Sequence, residues 1–361
     1  MTPASNSLAQ VAKFLSGGTP SKANPQYWNG LIPWLTPKDM SQFDGTTADS
    51  VSAEAIGNGT RLAPENALFI AVRGMSLHNE IRIVRGRAKM AFNQDIKAII
   101  PQDIDRNFLF FALQSLVPEL LGAVEAAGHG TGRLPTDRLE SLTIPRFGPD
   151  LEKHIGRLFA DLDDKIELNR RMNETLEAMA RAIFRDWFVD FNPTRAKMAM
   201  RGEDPQSANV AREPYLAPDL WQLFPDRLDD NGIPQGWEAC SLNRLIDFNP
   251  SESLPKDTLA PYLDMAALPT AGSCASMPVL RAFSSGMKFR NFDTLFARIT
   301  PCLENGKTCY VQELPPDAVG WGSTEFIVMR AKPPVPAPTS YLIARDKSFR
   351  TRAVQSMTGT S

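Results

Sequence analysis

Apolar residues repeat every seven positions between Asp150 and Phe191, in a stretch without proline and without glycine after Gly156. The pattern predicts one α-helix of roughly 40 residues, about 60 Å long at 1.5 Å per residue. Its stripe is typical of a coiled-coil seam, in which a core asparagine usually fixes the register. Lys165 and Asp186 interrupt the seam. The predicted packing positions are Ile155, Leu158, Leu162, Asn169, Met172, Leu176, Met179 and Ile183.

This stripe admits two interpretations. A helix packed on its own domain would need only a short apolar face, and that is the simpler alternative. Because the stripe here runs along the whole predicted element, an equally long partner helix fits it better. We therefore expect a spacer helix over residues 148–192 whose seam finds no partner within this chain.

The segments on either side of the helix have a different pattern. Residues 1–147 and 236–361 contain short, apolar, β-prone runs separated by glycine, proline and asparagine, which predicts two strand-rich domains. One helix is expected over residues 106–121, with a break at Pro118. Residues 193–235 are rich in proline, aspartate and alanine and predict a linker with one short turn near residues 221–224. The clearest runs in the first domain are 67–73, 80–84 and 96–100.

The second domain repeats the first. The offsets between matching residues lie between 227 and 234, which indicates one long duplication with small insertions and deletions. The first copy continues through a further strand, 141–145, into the long helix, whereas the second ends at its counterpart of residues 129–132. We therefore expect a truncated chain that lacks a second helix. The matching pairs are 7–22 with 241–256, 66–73 with 293–300, 91–96 with 320–326, and 129–132 with 358–361.

Composition narrows the class of protein. The 361 residues include 39 Lys+Arg and 41 Asp+Glu, for a formal net charge of -2, and 43% of them are hydrophobic. This content of apolar residues is enough for two ordinary domains. Together with the balanced charge, it excludes a highly charged disordered tail and a rod-shaped protein. No apolar run reaches the length of a membrane span, about 18 residues, and no signal peptide is evident. Three histidines and four irregularly spaced cysteines supply no zinc-ligand cluster, so we expect no metal and a reducing, cytoplasmic location.

Three features resemble the specificity subunit of type I DNA restriction–modification systems. Residues 17–40, GGTPSKANPQYWNGLIPWLTPKDM, are similar to the opening signature of that family's target-recognition domains. Residues 134–147, which lead into the long helix, and 184–195, FRDWFVDFNPTR, resemble its central spacer region. The third feature is the two-copy layout, from which the second helix is missing. The resemblance implies an α+β fold with two target-recognition domains, 1–147 and 236–361, joined by a coiled-coil-like spacer helix.

The resemblance also implies a function. In the family, each recognition domain reads one half of a bipartite site in double-stranded DNA, and two antiparallel helices set the gap between the halves. Methyltransferase (modification) subunits and restriction/translocase subunits dock on this scaffold. We therefore expect no catalytic residues and no cofactor on this chain, with S-adenosylmethionine, ATP and Mg on the partners. The alternatives are a half-specificity subunit that pairs with a second copy through its spacer helix, a non-functional fragment, and an enzyme.

A search for catalytic motifs supports a non-catalytic chain. Residues 301–308, PCLENGKT, end like a phosphate-binding loop, but Pro301 replaces the first glycine and no helix is predicted to follow. Neither a glycine-rich adenosylmethionine loop nor an Asp/Asn-Pro-Pro-aromatic motif occurs. Asp150 and Glu152 are explained by the dipole at the start of the helix.

Candidate DNA contacts come from basic and hydroxyl side chains. The span 73–97 has six basic and two acidic residues, an excess of four positive charges that would bind phosphates in a salt-dependent way, although a solvated strand face explains each one as well. Trp28, Trp34 and Tyr27 could touch a base but fit a core better. The candidates are Thr19, Ser21, Lys22, Arg73, Arg82, Arg85, Arg87, Lys89, Thr131 and Arg133 in the first copy, and Lys288, Arg290, Lys307 and Thr360 in the second.

Overall fold

The computed structural model describes residues 4–127, 130–203 and 213–356. The chain divides into two compact units, Met1–Leu168 and Asn169–Ser361, and the division falls inside one long helix. The helices of the described residues are α1 (Leu8–Val11), α2 (Arg106–Ser115), α3 (Val117–Gly122), α4 (Thr136–Glu140), α5 (Pro149–Phe188), α6 (Asn192–Met200), α7 (Pro218–Gln222), α8 (Pro338–Arg345) and α9 (Lys347–Gln355).

Short strands build both units. The strands of the first unit are β1 (Ala4–Ser7), β2 (Ala12–Ser16), β3 (Trp28–Leu35), β4 (Asp49–Val51), β5 (Leu62–Ala63), β6 (Leu68–Ala71), β7 (Arg73–Gly74), β8 (Ile83–Arg85), β9 (Met90–Phe92), β10 (Ile96–Pro101), β11 (Glu125–Ala126), β12 (Gly132–Arg133) and β13 (Thr143–Arg146). Those of the second unit are β14 (Ile246–Phe248), β15 (Leu259–Leu263), β16 (Val279–Ala282), β17 (Met287–Phe289), β18 (Thr294–Ala297), β19 (Thr308–Tyr310), β20 (Gly320–Gly322) and β21 (Phe326–Ala331).

The two units share a pair of four-stranded sheets with the same topology. In the first unit the strand orders are β2-β10-β6-β8 and β4-β3-β9-β5, and in the second they are β14-β21-β18-β19 and β16-β15-β20-β17. Each order in the first unit matches its counterpart strand by strand, including the parallel pairs β3–β9 and β15–β20. The predicted duplication and the α+β class are confirmed.

The match extends to single residues. Trp34 lies opposite Ala91 in the parallel pair of the first unit, and Tyr262 lies opposite Trp321 in that of the second. This register aligns the sequence LIPWL of residues 31–35 with LAPYL of residues 259–263. The leucine at the fifth position of each segment, Leu35 or Leu263, is buried in the core of its unit.

The long helix is confirmed with nearly its predicted ends. α5 has 40 residues, and its first turn is fixed to the first unit by Glu152, whose fully buried carboxylate accepts hydrogen bonds from Arg146 (2.7 Å) and from the backbone N–H of Phe147 (3.0 Å). Gly156 packs against the start of α2, where a Cβ would overlap Asp105 and the backbone of Phe108.

The predicted seam is largely uncovered. Ile155 packs against the core of the first unit, and Asn169 is exposed. The remaining seam residues keep between 44% and 55% of their surface exposed, so no described residue buries them. A helix face of this kind is expected to bury itself against another element. These residues are Leu158, Leu162, Met172, Leu176, Met179 and Ile183.

Two details differ from the predicted elements. The break after α2 lies at Leu116, ahead of Pro118, because a proline in the first turn of α3 needs no N–H partner. The predicted linker contains a nine-residue helix, α6, that its composition did not indicate. Contacts distant in sequence hold α6, since Lys197 donates to the carbonyl of Phe224 (2.6 Å) and pairs with Asp226 (3.0 Å).

Within the described ranges, no helix combines the length and the apolar character that crossing a membrane would require.

Candidate nucleic-acid interface

Residues 17–22 form a tightly held loop between β2 and the turn that leads into β3. A Cβ on Gly17 would overlap the carbonyl of Asn93, and one on Gly18 would overlap the carbonyl of Gly59. Only glycine allows the backbone to approach so closely. The loop is therefore packed against its neighbours along one side.

Two tryptophans of β3 fix the other side of this loop. The indole N–H of Trp34 donates to the carbonyl of Gly18 (3.1 Å), and that of Trp28 donates to the carbonyl of Ser21 (3.2 Å). The two rings meet edge to face with centroids 5.1 Å apart. The expected core role of these residues is therefore combined with a second one, because each indole also holds a loop carbonyl.

The candidate residues of this loop point to solvent. Thr19, Ser21 and Lys22 are exposed, whereas Pro20 between them is buried. The Thr19 hydroxyl donates to the side-chain carbonyl of Gln94 (2.6 Å). Among the described residues Lys22 makes no ion pair, so its ammonium group is available for a phosphate.

A second basic site lies where β7 pairs with β12. Arg73 and Arg133 are directly opposite each other in this antiparallel pair, and both are exposed. Like charges directly opposite destabilise a sheet and are relieved by an anion between them. Glu125 of β11 faces Arg133 from the other side. Burial raises the pKa of Asp95, and the positive charge of Arg73 opposes this shift only in part.

Thr131 lies in the turn that precedes β12, where its carbonyl accepts a hydrogen bond from the N–H of Ala127 (2.8 Å). Thr131 is half-buried, and the following residue, Gly132, packs against Val124 and Leu77. The turn therefore belongs to the same small sheet as Arg133.

Two other candidates of the first unit have intramolecular partners. Arg82 donates to Glu80 (2.9 and 3.0 Å) and to the carbonyl of Pro37 (3.0 Å). The guanidinium of Arg85 pairs with Asp163 of α5 and lies 4.9 Å from the ring centroid of Phe110. Arg85 thus holds the long helix against its unit.

The last two candidates of the span 73–97 are exposed. Arg87 and Lys89 flank the turn between β8 and β9, and the Arg87 side chain packs over Gly45. The structure therefore does not assemble all the basic residues of the span into one strip.

In the second unit, three basic residues bind Glu252. Its carboxylate accepts one hydrogen bond from Arg330 (2.7 Å) and pairs with Arg290 (2.5 Å), and its backbone carbonyl accepts one from Lys288 (3.0 Å). Arg330 also binds Asp293 through two nitrogens (2.6 and 2.7 Å). These bonds raise the pKa of Arg330 further above its usual range.

The segment 301–308 is closed by protein atoms. Lys307 donates to the carbonyl of Met265 (2.7 Å), and the Arg350 guanidinium occupies the space beside Gly306. This arrangement leaves no cradle for a phosphate at Gly306. The remaining candidate, Thr360, lies outside the described residues.

Sequence reasoning missed the residues that fix these loops, namely Trp28 and Trp34 as donors and Glu252 as an acceptor. It also passed over Lys256, which is exposed. A signal for Lys256 was present, because aligning residues 7–22 with 241–256 places it opposite Lys22. In the parts of the chain that the structure describes, no three His, Cys, Asp or Glu residues are grouped closely enough to hold a metal ion.

The chain is similar to known DNA specificity domains. The family described as Type I restriction modification DNA specificity domain matches residues 5–178. The chain is 24% identical over 269 residues to the type I restriction enzyme MjaIX specificity subunit of Methanocaldococcus jannaschii, covering 73% of this chain and 55% of that protein. It is 32% identical over 142 residues to the EcoR124I/EcoR124II specificity subunit of Escherichia coli, covering 38% of this chain and 35% of that protein.

Among solved structures, a type I restriction–modification S subunit from M. genitalium is 13% identical, with a TM-score of 0.49 over 99% of this chain and 83% of that chain. The chain spans about half the length of the first relative and a smaller share of the second.

The match to the DNA specificity domain covers almost all of the first unit and continues for ten residues beyond it along α5. Over the residues that the family model matches, the resemblance seen in the sequence is confirmed.

Proposed function

We propose that this chain recognises DNA as the specificity subunit of a type I restriction–modification complex, with each unit reading one part of a bipartite target. The observation that carries the proposal is the duplication. Two four-stranded sheets of the unit that matches the DNA specificity domain recur strand by strand in a second unit. Two copies of one reader on a single chain suit an asymmetric, two-part site.

The mechanism is positioning. Loop hydroxyls, lysines and the Arg73–Arg133 pair contact phosphates and set the orientation of the duplex, whereas base edges in the major groove supply the sequence information. A mismatched base pair in the site should cost roughly 1–3 kcal/mol.

Methyl transfer and cleavage belong to partner subunits in this proposal. The methyltransferase subunits bring S-adenosylmethionine, and the restriction/translocase subunits bring ATP and Mg. Apolar surface for docking is available at the end of α5, where a groove of about 980 Å³ is lined by Ile183, Trp187, Trp237 and Ile343. We also propose a cytoplasmic location, where a DNA-reading subunit would meet its target.

The test is modified-base sequencing of a methylation-deficient host that expresses this chain together with its modification subunit. We expect a methylated adenine motif in two parts with a fixed gap. If no new methylation appears while the same modification subunit works with an intact specificity subunit, the proposal is refuted.

A second candidate is a half-specificity subunit, and the uncovered seam of α5 favours it. Two copies could bury their seams against each other and read a symmetric sequence. The solution mass decides between the candidates. A dimer that Leu176→Glu converts to a monomer supports the half-specificity role, whereas a monomeric chain with an asymmetric methylation motif excludes it.

A further inference from the structure

We propose that residues 250–256 of the second unit form a phosphate-binding loop equivalent to residues 17–22, in which Lys256 and the hydroxyls of Ser251 and Ser253 contact the DNA backbone. The inference rests on the proposed function and extends it to a set of contacts shared by both units. It also assigns Lys288 and Arg290 to positioning this loop rather than to touching DNA.

The two loops occupy the same place in the duplicated fold. One connects β2 to β3 and the other connects β14 to β15, and these strands correspond in the two sheet orders. The residue two positions before the aligned leucine has a left-handed backbone in both units, with φ of 59° at Asn29 and 64° at Asp257. Residues other than glycine rarely adopt this conformation, so its repetition marks equivalent positions near the ends of the two connections. Between its lysine and this position the first connection has six residues more than the second.

Each loop is anchored to its unit, but through different chemistry. In the first unit the anchors are the indole N–H groups of Trp28 and Trp34, which hold two loop carbonyls. In the second unit the anchor is Glu252, whose side chain is only 4% exposed and whose carboxylate binds Arg290 and Arg330. Lys288 adds a hydrogen bond to the Glu252 carbonyl.

The anchors leave a similar set of groups facing solvent. Inward-facing Pro20 separates the exposed Thr19 and Ser21, and the exposed Lys22 follows. In the second loop, inward-facing Glu252 separates the exposed Ser251 and Ser253, and Lys256 follows, also exposed. Each loop therefore presents one lysine together with serine hydroxyls, Ser21 in the first loop and Ser251 and Ser253 in the second, while the Thr19 hydroxyl donates to Gln94.

These groups bind phosphate and carry no base information. Two units that read different half-sites must differ in the residues that contact bases, whereas the contacts they share should be those that do not depend on sequence. A fixed loop also loses little conformational freedom when it binds, which explains why a surface loop is tied to a buried carboxylate.

The test uses the full-length chain and a random-sequence DNA duplex, with affinity measured by fluorescence anisotropy across a salt series. Each lost phosphate contact should lower the slope of log affinity against log salt by about 0.9. We therefore expect Lys22→Gln and Lys256→Gln each to lower the slope by about 0.9, and the double variant by about 1.8. Lys153→Gln and Lys347→Gln remove the same charge from exposed helix positions and serve as matched controls.

The test of the positioning residues needs a measurement that a change in folding stability alone would not alter. Trp28→Phe removes one N–H donor and keeps an aromatic ring, and Glu252→Gln removes the charge that binds Arg290 and Arg330. Lys22→Gln should change the salt slope less in the Trp28→Phe protein than in the unsubstituted chain, and Lys256→Gln should change it less in the Glu252→Gln protein. A double-mutant cycle measures each difference. Thermal melting checks that the Glu252→Gln protein still folds. If that protein is unfolded, the cycle of Trp28→Phe with Lys22→Gln still tests whether an anchor positions its loop.

The outcomes separate the inference from the proposed function. If the unsubstituted chain shows no salt-dependent duplex binding, the proposed function fails and the inference fails with it. If that chain binds with a clear slope, but Lys256→Gln behaves like Lys347→Gln, the inference alone is wrong. If Lys256→Gln lowers the slope without coupling to Glu252, the loop contacts DNA but is not positioned as we propose, and that part is overturned.

Discussion

Replacing Glu152 with alanine should destabilise the first unit by about 3 kcal/mol, because the change breaks a buried ion pair and leaves its partner uncompensated. Glu152 is fully buried in the first turn of α5 and accepts hydrogen bonds from Arg146 at 2.7 and 3.1 Å and from the N–H of Phe147 at 3.0 Å. Each of these donors loses its carboxylate acceptor in the variant.

The magnitude follows from how much of this network survives. Breaking a buried pair from one side typically costs 3–5 kcal/mol. The lower end applies here, because the Arg146 side chain is 17% exposed and also donates to the carbonyl of Asp103 (2.7 Å). For a unit of this size, about 3 kcal/mol corresponds to a fall in melting temperature of roughly 6–12 °C.

The assay is thermal unfolding of the full chain, with the first unit identified by amide hydrogen exchange of its own peptides. Asp161→Ala is the matched control, since it breaks the exposed pair with Arg157 (3.9 Å) on the same helix, where we expect less than about 1 kcal/mol. Equal melting temperatures for the two variants would refute the idea that Glu152 fixes the start of the helix.

Three further predictions can be checked on the same protein. Burial raises the pKa of Glu152, but hydrogen bonds from Arg146 and the backbone outweigh this effect and leave the pKa below its normal value. The stabilisation that Glu152 contributes should therefore be complete above the pKa of an unfolded glutamate, about 4.3, and should be lost as the pH falls through the pKa of the folded group. Glu152→Gln should remove this pH dependence of stability. Burial raises the pKa of the Cys309 thiol to about 12, so alkylation of the native chain, read by mass spectrometry, should label the exposed Cys240 and spare Cys309 until denaturant is added. Arg133→Gln should weaken duplex binding while leaving the melting temperature equal or slightly higher, because it relieves the repulsion from Arg73; lower stability with unchanged DNA binding would contradict this.

The long helix and the duplication were predictable from the sequence because both depend on patterns within contiguous segments of the chain. The seven-residue repeat of α5 needs no knowledge of its partner, and its 40 residues fall close to the predicted ends. The repeat between the two halves predicted equivalent domains, and the family resemblance rested on contiguous motifs such as residues 17–40.

The linker helix α6 was not predictable in this way. Short helices are marginal in water, and their stability comes mainly from tertiary packing. Lys197 reaches Phe224, 27 residues away, and Thr194 and Ala196 are buried. A composition rich in proline and aspartate gave no indication of these contacts.

The roles of the basic residues were decided by the tertiary structure alone. Arg85 and Arg330 are both engaged by carboxylates 78 residues away, at Asp163 and Glu252. The sequence determines how many charges a segment carries, but an ion pair depends on which groups the fold brings within a few ångströms. Lys256, which belongs to no basic cluster in the sequence, is presented to solvent because the buried Glu252 fixes its loop.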